Sequence, residues 1–541
     1  MTARWRAICA LFSLWMLSTL VPAVGLALSS RDWLAQLGKL GIVVALTIVW
    51  SCAWPALLLA MPRAVAGAAM VAANFVMVAF VMISAFHLVA YDQLPGLSTV
   101  YAIVDTHFGE AREFLSLIGS PSAWTAAFAN GALVILLGSF CWRSLRPDTA
   151  PTPSKLHLVA SLLVLLGLPN ALWNRSKWTF NNPFTFALYS GREVLGYRAD
   201  LMKVTHATPA RLNTSVREPK RRALHLLIVG ESLTSTHMAT CGYARDTTPQ
   251  IDAPRDYLRV ALCDVCSPRP STALALRDIM TPGGHYRERP FLERPNLIST
   301  LQHNTYQVYW ISNQALPVDP KESMASVWST FATMRWFTNF EGFQYDGAML
   351  PRVKRALAAG ADRKVVVIHM AGSHPAYSAR YPRKFNHWAA DAEVPASVPR
   401  RHDPDFLRTP LNEYDNSVLY TDYMIGEIMT LAREHDVASV TLFSDHGQNL
   451  GEKTPFLGHS SDNGPRQGYL VPVILWIGKS ALLDDAQREN LLRNAKAPYQ
   501  TDQLFATLLE LYGIDTADRA LRNSLLSDEY HPVPRACDAM E

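Results

Sequence analysis

A lone glutamate, an Asp-His pair, two more histidines and a hydroxyl at a helix start are the residues of this 541-residue sequence with the most chemistry in them. Glu231 follows the aliphatic run LHLLIVG. It opens the polar stretch ESLTSTHMATCGYARDTTPQ, which is rich in hydroxyls and carries His237, Gly242 and Arg245. Asp445 and His446 lie in FSDHGQNLGEK, His374 in GSHPAY and His459 in FLGHSS. Carboxylate oxygens and imidazole nitrogens suit zinc, which takes about four ligands and keeps one position open in catalytic sites. CSPRPSTALAL offers a nucleophile. Pro268 and Pro270 break any helix, and TALALRDIM then reads as a helix start. A hydroxyl there, Ser271 or Thr272, sits among free N–H groups that favour phosphate. A nearby metal would lower its pKa enough for attack at neutral pH. Each piece alone has a plainer reading. Glu231 is then a solvated loop residue, Asp445-His446 a turn, Ser271 or Thr272 an N-cap, and His369 a core or supporting residue. The signal is their joint placement at strand ends.

That placement depends on the elements around them. LHLLIV, YQVYWIS, KVVVIHM, SVTLFSD and VPVILWI are short β-rich runs, separated by helix-compatible stretches such as Asp415–Glu434 and Asp502–Tyr512. Strands alternating with helices predict an α/β sheet that is mainly parallel. In such sheets functional groups gather beyond the carboxyl ends of the strands. Glu231 closes the first run, His374 follows the third, and Asp445 and His446 follow the fourth. The hydroxyl-rich stretch after Glu231 is expected to border the cleft. Pro395–Pro410 reads as a charged loop.

The first third of the chain has a different character. Ile8–Leu28, Leu40–Met61, Ala64–Ala90, Trp124–Trp142 and Leu156–Trp173 are apolar runs nearly free of charge, each about long enough to cross a bilayer as a helix. Helices are expected there despite Pro22 and Pro55, because backbone polar groups must be satisfied within each segment. With the N-terminus inside, the cytoplasmic pieces hold Arg4, Arg6, Arg63, Arg143, Arg146 and Lys155. Five spans then export everything after Trp173. Residues 1–173 form the transmembrane domain, 174–220 a juxtamembrane connector, and 221–541 an exported domain. A net charge of +4 makes no case for nucleic acid. Cys241, Cys263, Cys266 and Cys537 lie where disulfides can form. Cys263 and Cys266 make a lone CxxC, for which a structural disulfide or free thiols are the expected readings, with the partners left open.

Apolar spans followed by an exported domain with G-E-S, a threonine in a rigid turn, S-D-H-G and GYARDTTPQID resemble the phosphoethanolamine transferases of Gram-negative bacteria. The resemblance covers nearly the whole chain. It implies an alkaline-phosphatase/sulfatase-like domain in the periplasm and an inner-membrane location. It also implies Zn2+ on Glu231, Asp445 and His446, with a second ion possible, and Thr272 as a nucleophile that also meets the metal. His374 and His459 fall near a second metal or the phosphate, and Asn313 falls in a substrate-side segment. YAIVDTHFGEAREF, with Thr106 and Glu110, resembles the loop that helps bind the lipid donor. The implied donor is phosphatidylethanolamine, and the implied acceptor is lipopolysaccharide, at core heptose or lipid A. R-P-x-T and W-I-x-N-Q look more like the core-heptose branch, since Gln314, Ala315 and Val318 stand where lipid A-modifying members have Asn, Ser and Lys. The alternatives are a phosphoglycerol transferase or another hydrolase of this fold, and a catalytically inactive membrane-anchored binding protein.

Overall fold

The computed structural model describes residues 3–29, 33–91, 94–95, 99–100, 121–145, 153–172, 182–203, 209–283, 287–288, 293–314, 327–339, 344–396, 398, 404–452, 457–459, 465–518 and 521–540. They fall into two compact units, dividing between Gly196 and Tyr197.

The first unit is helical. Among the described residues, four stretches are long and apolar enough to cross a membrane: Arg4–Gly25, Val43–Ala60, Arg63–Val89 and Trp124–Ser144. The fifth expected span is the helix Lys155–Leu172, whose apolar part, Lys155–Gly167, is shorter. Pro55 does not unravel the second span. It sits in the first turn of the helix Trp54–Ala60, where a missing N–H costs nothing, and the preceding helix stops at Ser51. Phe12, Trp15, Met77, Val81 and Val134 fill the middle of the unit. The helices Arg63–Tyr91 and Pro121–Ser144 pack closely, because a Cβ on Gly138 would lie 2.3 Å from Asn74 Oδ1. The Asn74 oxygen is itself satisfied by Trp15 Nε1 at 3.2 Å. Within the expected connector, Pro183–Lys203 is a helix.

The second unit is built on a seven-stranded sheet. Its strands are β1 (Ala223–Gly230), β2 (Leu258–Leu262), β3 (Gln307–Ser312), β4 (Met334–Phe337), β5 (Arg363–His369), β6 (Ser439–Ser444) and β7 (Val473–Ile477). Their order is β2-β7-β6-β1-β5-β3-β4. β6, β1, β5, β3 and β4 run parallel, while β7 is antiparallel to both its neighbours. Both faces of the central strands are covered, so they read as continuous apolar runs. In β1, Leu227 and Val229 enter one core with Val308, Trp310, Val365 and Val367. Leu226 and Ile228 enter the other with Ile311, Val366, Ile368 and Ile425. The helix Pro404–Glu434 lies on the second face, through Tyr414, Val418, Ile425 and Ile428. It begins six residues before Pro410, inside the stretch read as a loop. Pro410 costs that helix a single hydrogen bond near its start, where the long packed portion that follows can offset the loss.

Cys241 bonds to Cys263, and Cys266 to Cys537. The CxxC cysteines therefore point to different partners. Cys266 lies in a short strand (Val265–Cys266) paired with Tyr499–Gln500, and its disulfide fastens the C-terminal segment there.

Candidate active site

β1 and β6 are adjacent and parallel, with Gly230 opposite Ser444. The next residue on each strand is a carboxylate, so Glu231 and Asp445 emerge side by side, and His446 follows. One ligand atom from each of Glu231, Asp445 and His446 lies within 4.8 Å of the other two, and all three residues are buried. Two close approaches fix these turns. A Cβ on Gly372, whose φ is +50°, would fall 2.7 Å from the Glu231 carbonyl oxygen, and one on Gly447 would fall 2.3 Å from that of Gln467. No other residue fits either place.

Thr272 is the first residue of the helix Thr272–Ile279. The N-cap is Ser271, whose side chain makes no capping bond. The Thr272 hydroxyl is spent on the cluster instead. Oγ1 donates to Glu231 Oε2 at 3.2 Å and lies 3.3 Å from His446 Nε2. His446 Nδ1 is 2.8 Å from the Gly447 carbonyl, which can only accept, so Nδ1 carries the hydrogen. Nε2 lies 3.4 Å from Glu231 Oε1 and 3.5 Å from Asp445 Oδ2. Asp445 Oδ2 is buried without a hydrogen-bond partner among the described residues. Two carboxylates and an imidazole converge there, a group that could hold a cation. In its absence they compete for a proton. Burial and the Glu231 charge push Asp445 up. Burial acts against His446, yet the Asp445 charge and the Glu231 hydrogen bond push it up. Burial acts against Glu231 too, but the His446 bond and charge hold it well below the usual carboxylate range. The donor set fits zinc: carboxylate oxygens, an imidazole nitrogen and a hydroxyl, with one oxygen otherwise orphaned.

The remaining candidates sit around this core. The His459 ring is 4.0 Å from that of His446, and 6.5 Å from that of His374. His459 Nδ1 is 3.3 Å from Gln448 Oε1, and His374 Nδ1 is 3.3 Å from Arg380 Nη2. Burial, then the Arg380 charge at His374 and the His446 charge at His459, push both histidines down. Asn313 is not brought into the cluster. Its amide donates to the Gln344 carbonyl and to Asp346 Oδ1, each at 2.9 Å. Asp346 in turn accepts from the backbone N–H groups of Ala371 and Gly372, so Asn313 acts on the turn that leads to His374. Thr106 and Glu110 lie outside the described residues.

Two contacts were not legible in the sequence. Gln314 Nε2 donates to Glu231 Oε2 at 3.0 Å and to the Met370 carbonyl at 2.6 Å, placing this side chain directly on the cluster. Ser232 donates its Oγ to Glu231 Oε1 at 2.7 Å and its N–H to Asp445 Oδ1 at 3.1 Å. For Gln314 the available signal was its place two residues past the end of β3. The hydroxyl-rich stretch, expected to border the cleft, meets the cluster through Ser232, while its later hydroxyls serve the fold. Thr247 Oγ1 accepts from Ala239 N–H and donates to the His237 carbonyl, and Thr248 Oγ1 accepts from Thr240 N–H. His237, Tyr243 and Arg245 all turn to buried Asp415.

Residues 224–514 match the sulfatase family. The chain is 26% identical over 478 residues to the phosphoethanolamine transferase EptC of Escherichia coli, covering 83% of this chain and 80% of that one. It is 25% identical over 473 residues to the phosphoethanolamine transferase EptA of the same organism, covering 81% and 82%. Among solved structures, it resembles the integral membrane lipooligosaccharide phosphoethanolamine transferase A of Neisseria meningitidis, with a TM-score of 0.64, 20% identity and 97% of both chains covered. It also resembles the C-terminal periplasmic domain of Escherichia coli EptC in complex with Zn, with a TM-score of 0.54, 22% identity, and 60% of this chain and 92% of that one covered. The chain thus joins a unit of long apolar helices, four of them able by length and composition to cross a membrane, to a sulfatase-family domain.

Proposed function

The chain belongs to the sulfatase family, and from that premise we propose that it transfers phosphoethanolamine from phosphatidylethanolamine to lipopolysaccharide. The observation that carries this reading is the Thr272 hydroxyl, 3.2 Å from Glu231 Oε2 and 3.3 Å from His446 Nε2, at the edge of a cluster that could hold a cation. The likeness in sequence to phosphoethanolamine transferases over most of the chain supports the choice of substrate.

Glu231, Asp445 and His446, with Thr272 beside them, would hold zinc. When bound, zinc lowers the pKa of an adjoining hydroxyl and offsets charge on phosphoryl oxygens. Thr272 gives up its proton, and its Oγ1 forms a bond to the donor phosphorus. The bond from phosphorus to the glycerol oxygen breaks, and diacylglycerol leaves with a proton. An acceptor hydroxyl then attacks the same phosphorus, loses its proton, and releases Thr272 Oγ1. His374 and His459, beside the cluster, are the groups to bind the phosphate or pass these protons. Gln314 and Ser232 fix the Glu231 carboxylate, so that Thr272 meets one orientation of it. Thr106 and Glu110 are assigned to the ethanolamine or phosphate of the donor. R-P-x-T and W-I-x-N-Q favour the core heptose as acceptor site.

The test is to quench the full-length enzyme with phosphatidylethanolamine and no acceptor, and to weigh the peptide that carries Thr272. The expected result is phosphoethanolamine on Thr272, absent in Thr272→Ala, which also loses all transfer. A phosphoglycerol adduct would refute the donor. Normal transfer by Thr272→Ala together with loss in Ser271→Ala would refute the nucleophile.

A further inference from the structure

Gln448 is buried beside the cluster, and the reaction above gives it no role. The chain doubles back just past it. The short strands Asn449–Leu450 and Leu457–Gly458 pair antiparallel, with Gly458 opposite Asn449. In that register the next opposed pair is Gln448 and His459, so the hairpin itself brings the two side chains together. Gly458 stands at φ +129°, a conformation that glycine alone adopts readily, and Leu450 anchors the other strand in the core. Both ends of the Gln448 amide are engaged. Nε2 donates to the Tyr377 hydroxyl at 2.5 Å, and Oε1 lies 3.3 Å from His459 Nδ1. Tyr377 is itself fixed. It is buried three residues beyond His374, and its ring meets that of Tyr414 edge-on at 5.1 Å. The Tyr414 hydroxyl accepts from the Thr234 N–H and donates to the Ser232 carbonyl. One amide thus ties the turn that carries His374 to the hairpin that carries His459.

An amide has a donor end and an acceptor end, and the donor end here is spent on Tyr377. The end that faces His459 is a carbonyl oxygen, which only accepts. Nδ1 of the neutral ring therefore carries the hydrogen, and the lone pair falls on Nε2. Nε2 has no hydrogen-bond partner among the described residues. The ring lies 4.0 Å from that of His446, whose Nε2 is 3.3 Å from Thr272 Oγ1. A lone pair at that place calls for a donor, and phosphoryl oxygens are not donors. The Thr272 hydroxyl already donates to Glu231. Of the donors left, the acceptor hydroxyl must approach phosphorus, whereas the ethanolamine ammonium is present in both half-reactions, and the experiment separates the two. Building on the transferase reading, we propose that Gln448 is a positioning residue. It holds His459 so that Nε2 accepts the hydrogen bond of the incoming acceptor hydroxyl and aims its oxygen at phosphorus. A carboxylate at position 448 would hold the same tautomer, because it too only accepts. An apolar side chain there would leave the ring free to put its hydrogen on Nε2.

Full-length enzyme is reconstituted with phosphatidylethanolamine and no acceptor. The burst of diacylglycerol reports the first half-reaction. Purified lipopolysaccharide is then added, and the rate at which it discharges the Thr272 adduct reports the second. Gln448→Met, Gln448→Glu, Tyr377→Phe and the Gln448→Met/Tyr377→Phe pair are compared with wild type, and the zinc content and unfolding midpoint of each are measured. Discharge should slow about tenfold in Gln448→Met, with the burst rate within about twofold of wild type. Gln448→Glu should recover most of the loss. Tyr377→Phe should slow discharge alone, yet add less than about twofold to Gln448→Met, because it acts through the amide. The proposal is overturned if Gln448→Met discharges at the wild-type rate. It is also overturned if Gln448→Glu is no better than Gln448→Met, which would put the ring hydrogen on Nε2. A burst that slows in step with discharge would overturn it by making the ammonium the partner of His459. A loss that follows the midpoint or the zinc content across the variants would overturn it by making Gln448 a prop of the fold or the metal site. Wild type that gives no burst and no adduct would instead refute the transferase reading, and that result is read before any variant is compared.

Discussion

Replacing Arg245 by alanine removes the cation from a buried ionic network beneath the polar stretch that follows Glu231. Asp415 is fully buried and accepts from His237 Nδ1 at 2.7 Å, Tyr243 OH at 2.8 Å and Arg245 Nη1 at 2.6 Å. Arg245 also donates to the Glu393 carbonyl and lies 5.0 Å from the centre of the Trp388 ring. A hydrogen bond to a charged group is worth about 1.5–3 kcal/mol, and removing one partner of a buried ion pair costs about 3–5 kcal/mol, because the other charge is left behind. The expected loss for Arg245→Ala is therefore about 4 kcal/mol, close to a thousandfold in the unfolding equilibrium. At about 2 °C per kcal/mol for a domain of this size, the unfolding midpoint should fall by about 8 °C. The assay is thermal unfolding of the detergent-solubilised full-length protein, paired with turnover well below the transition. Arg245 makes no hydrogen bond to Glu231, Thr272, Asp445 or His446, so turnover per folded molecule should stay within about twofold of wild type. An unchanged midpoint with turnover lost would refute the argument and return the GYAR segment to the catalytic cleft.

Glu231→Ala and Asp445→Ala should each lower zinc content as well as transfer, and a strong chelator should silence the wild type reversibly; full zinc occupancy in both variants, by elemental analysis, would remove them from the ligand set. His225 is buried, and burial and the Arg363 charge push it down to about 3. It stays neutral in the fold, while the unfolded chain gains its proton below the ordinary value of 6.5. Its contribution is complete above that pH and is lost as the pH falls towards about 3, so stability should drop by about 1.3 kcal/mol between pH 7 and 5.5 from this residue alone. Denaturant unfolding of His225→Phe should show a drop smaller by that amount, and an identical pH dependence would show that His225 is not held neutral. The two disulfides should differ in worth. Their sequence separations of 22 and 271 give loop-closure contributions of about 3.4 and about 5.6 kcal/mol. Unfolding of the paired Cys→Ser variants checks this, and the order reverses if native-state strain outweighs chain entropy.

The membrane helices and the parallel sheet were legible in the sequence because both follow from local patterning. An apolar run long enough to cross a bilayer must satisfy its backbone within itself. Runs such as LHLLIV and KVVVIHM must be strands covered on both faces. That Glu231, Asp445 and His446 stand at strand ends followed from the same runs. Which strand ends meet did not. β1 lies between β6 and β5 because two distant stretches of chain pack there, and only that order sets Glu231 against Asp445 and brings Gln314 across from β3 to the same carboxylate. The N-cap question was open in the letters, since Ser271 and Thr272 are equivalent there; the direction of the helix start decides it by sending the Thr272 hydroxyl to Glu231. The partners of the CxxC cysteines were open in the sequence, and each pairs with a residue that tertiary packing brings beside it. The polar stretch after Glu231 reaches the cluster through Ser232, while Thr247 and Thr248 reach backbone groups and Arg245 reaches Asp415 on a helix far along the chain. A side chain's type is local information, whereas its partner is set by the packing of elements remote in sequence.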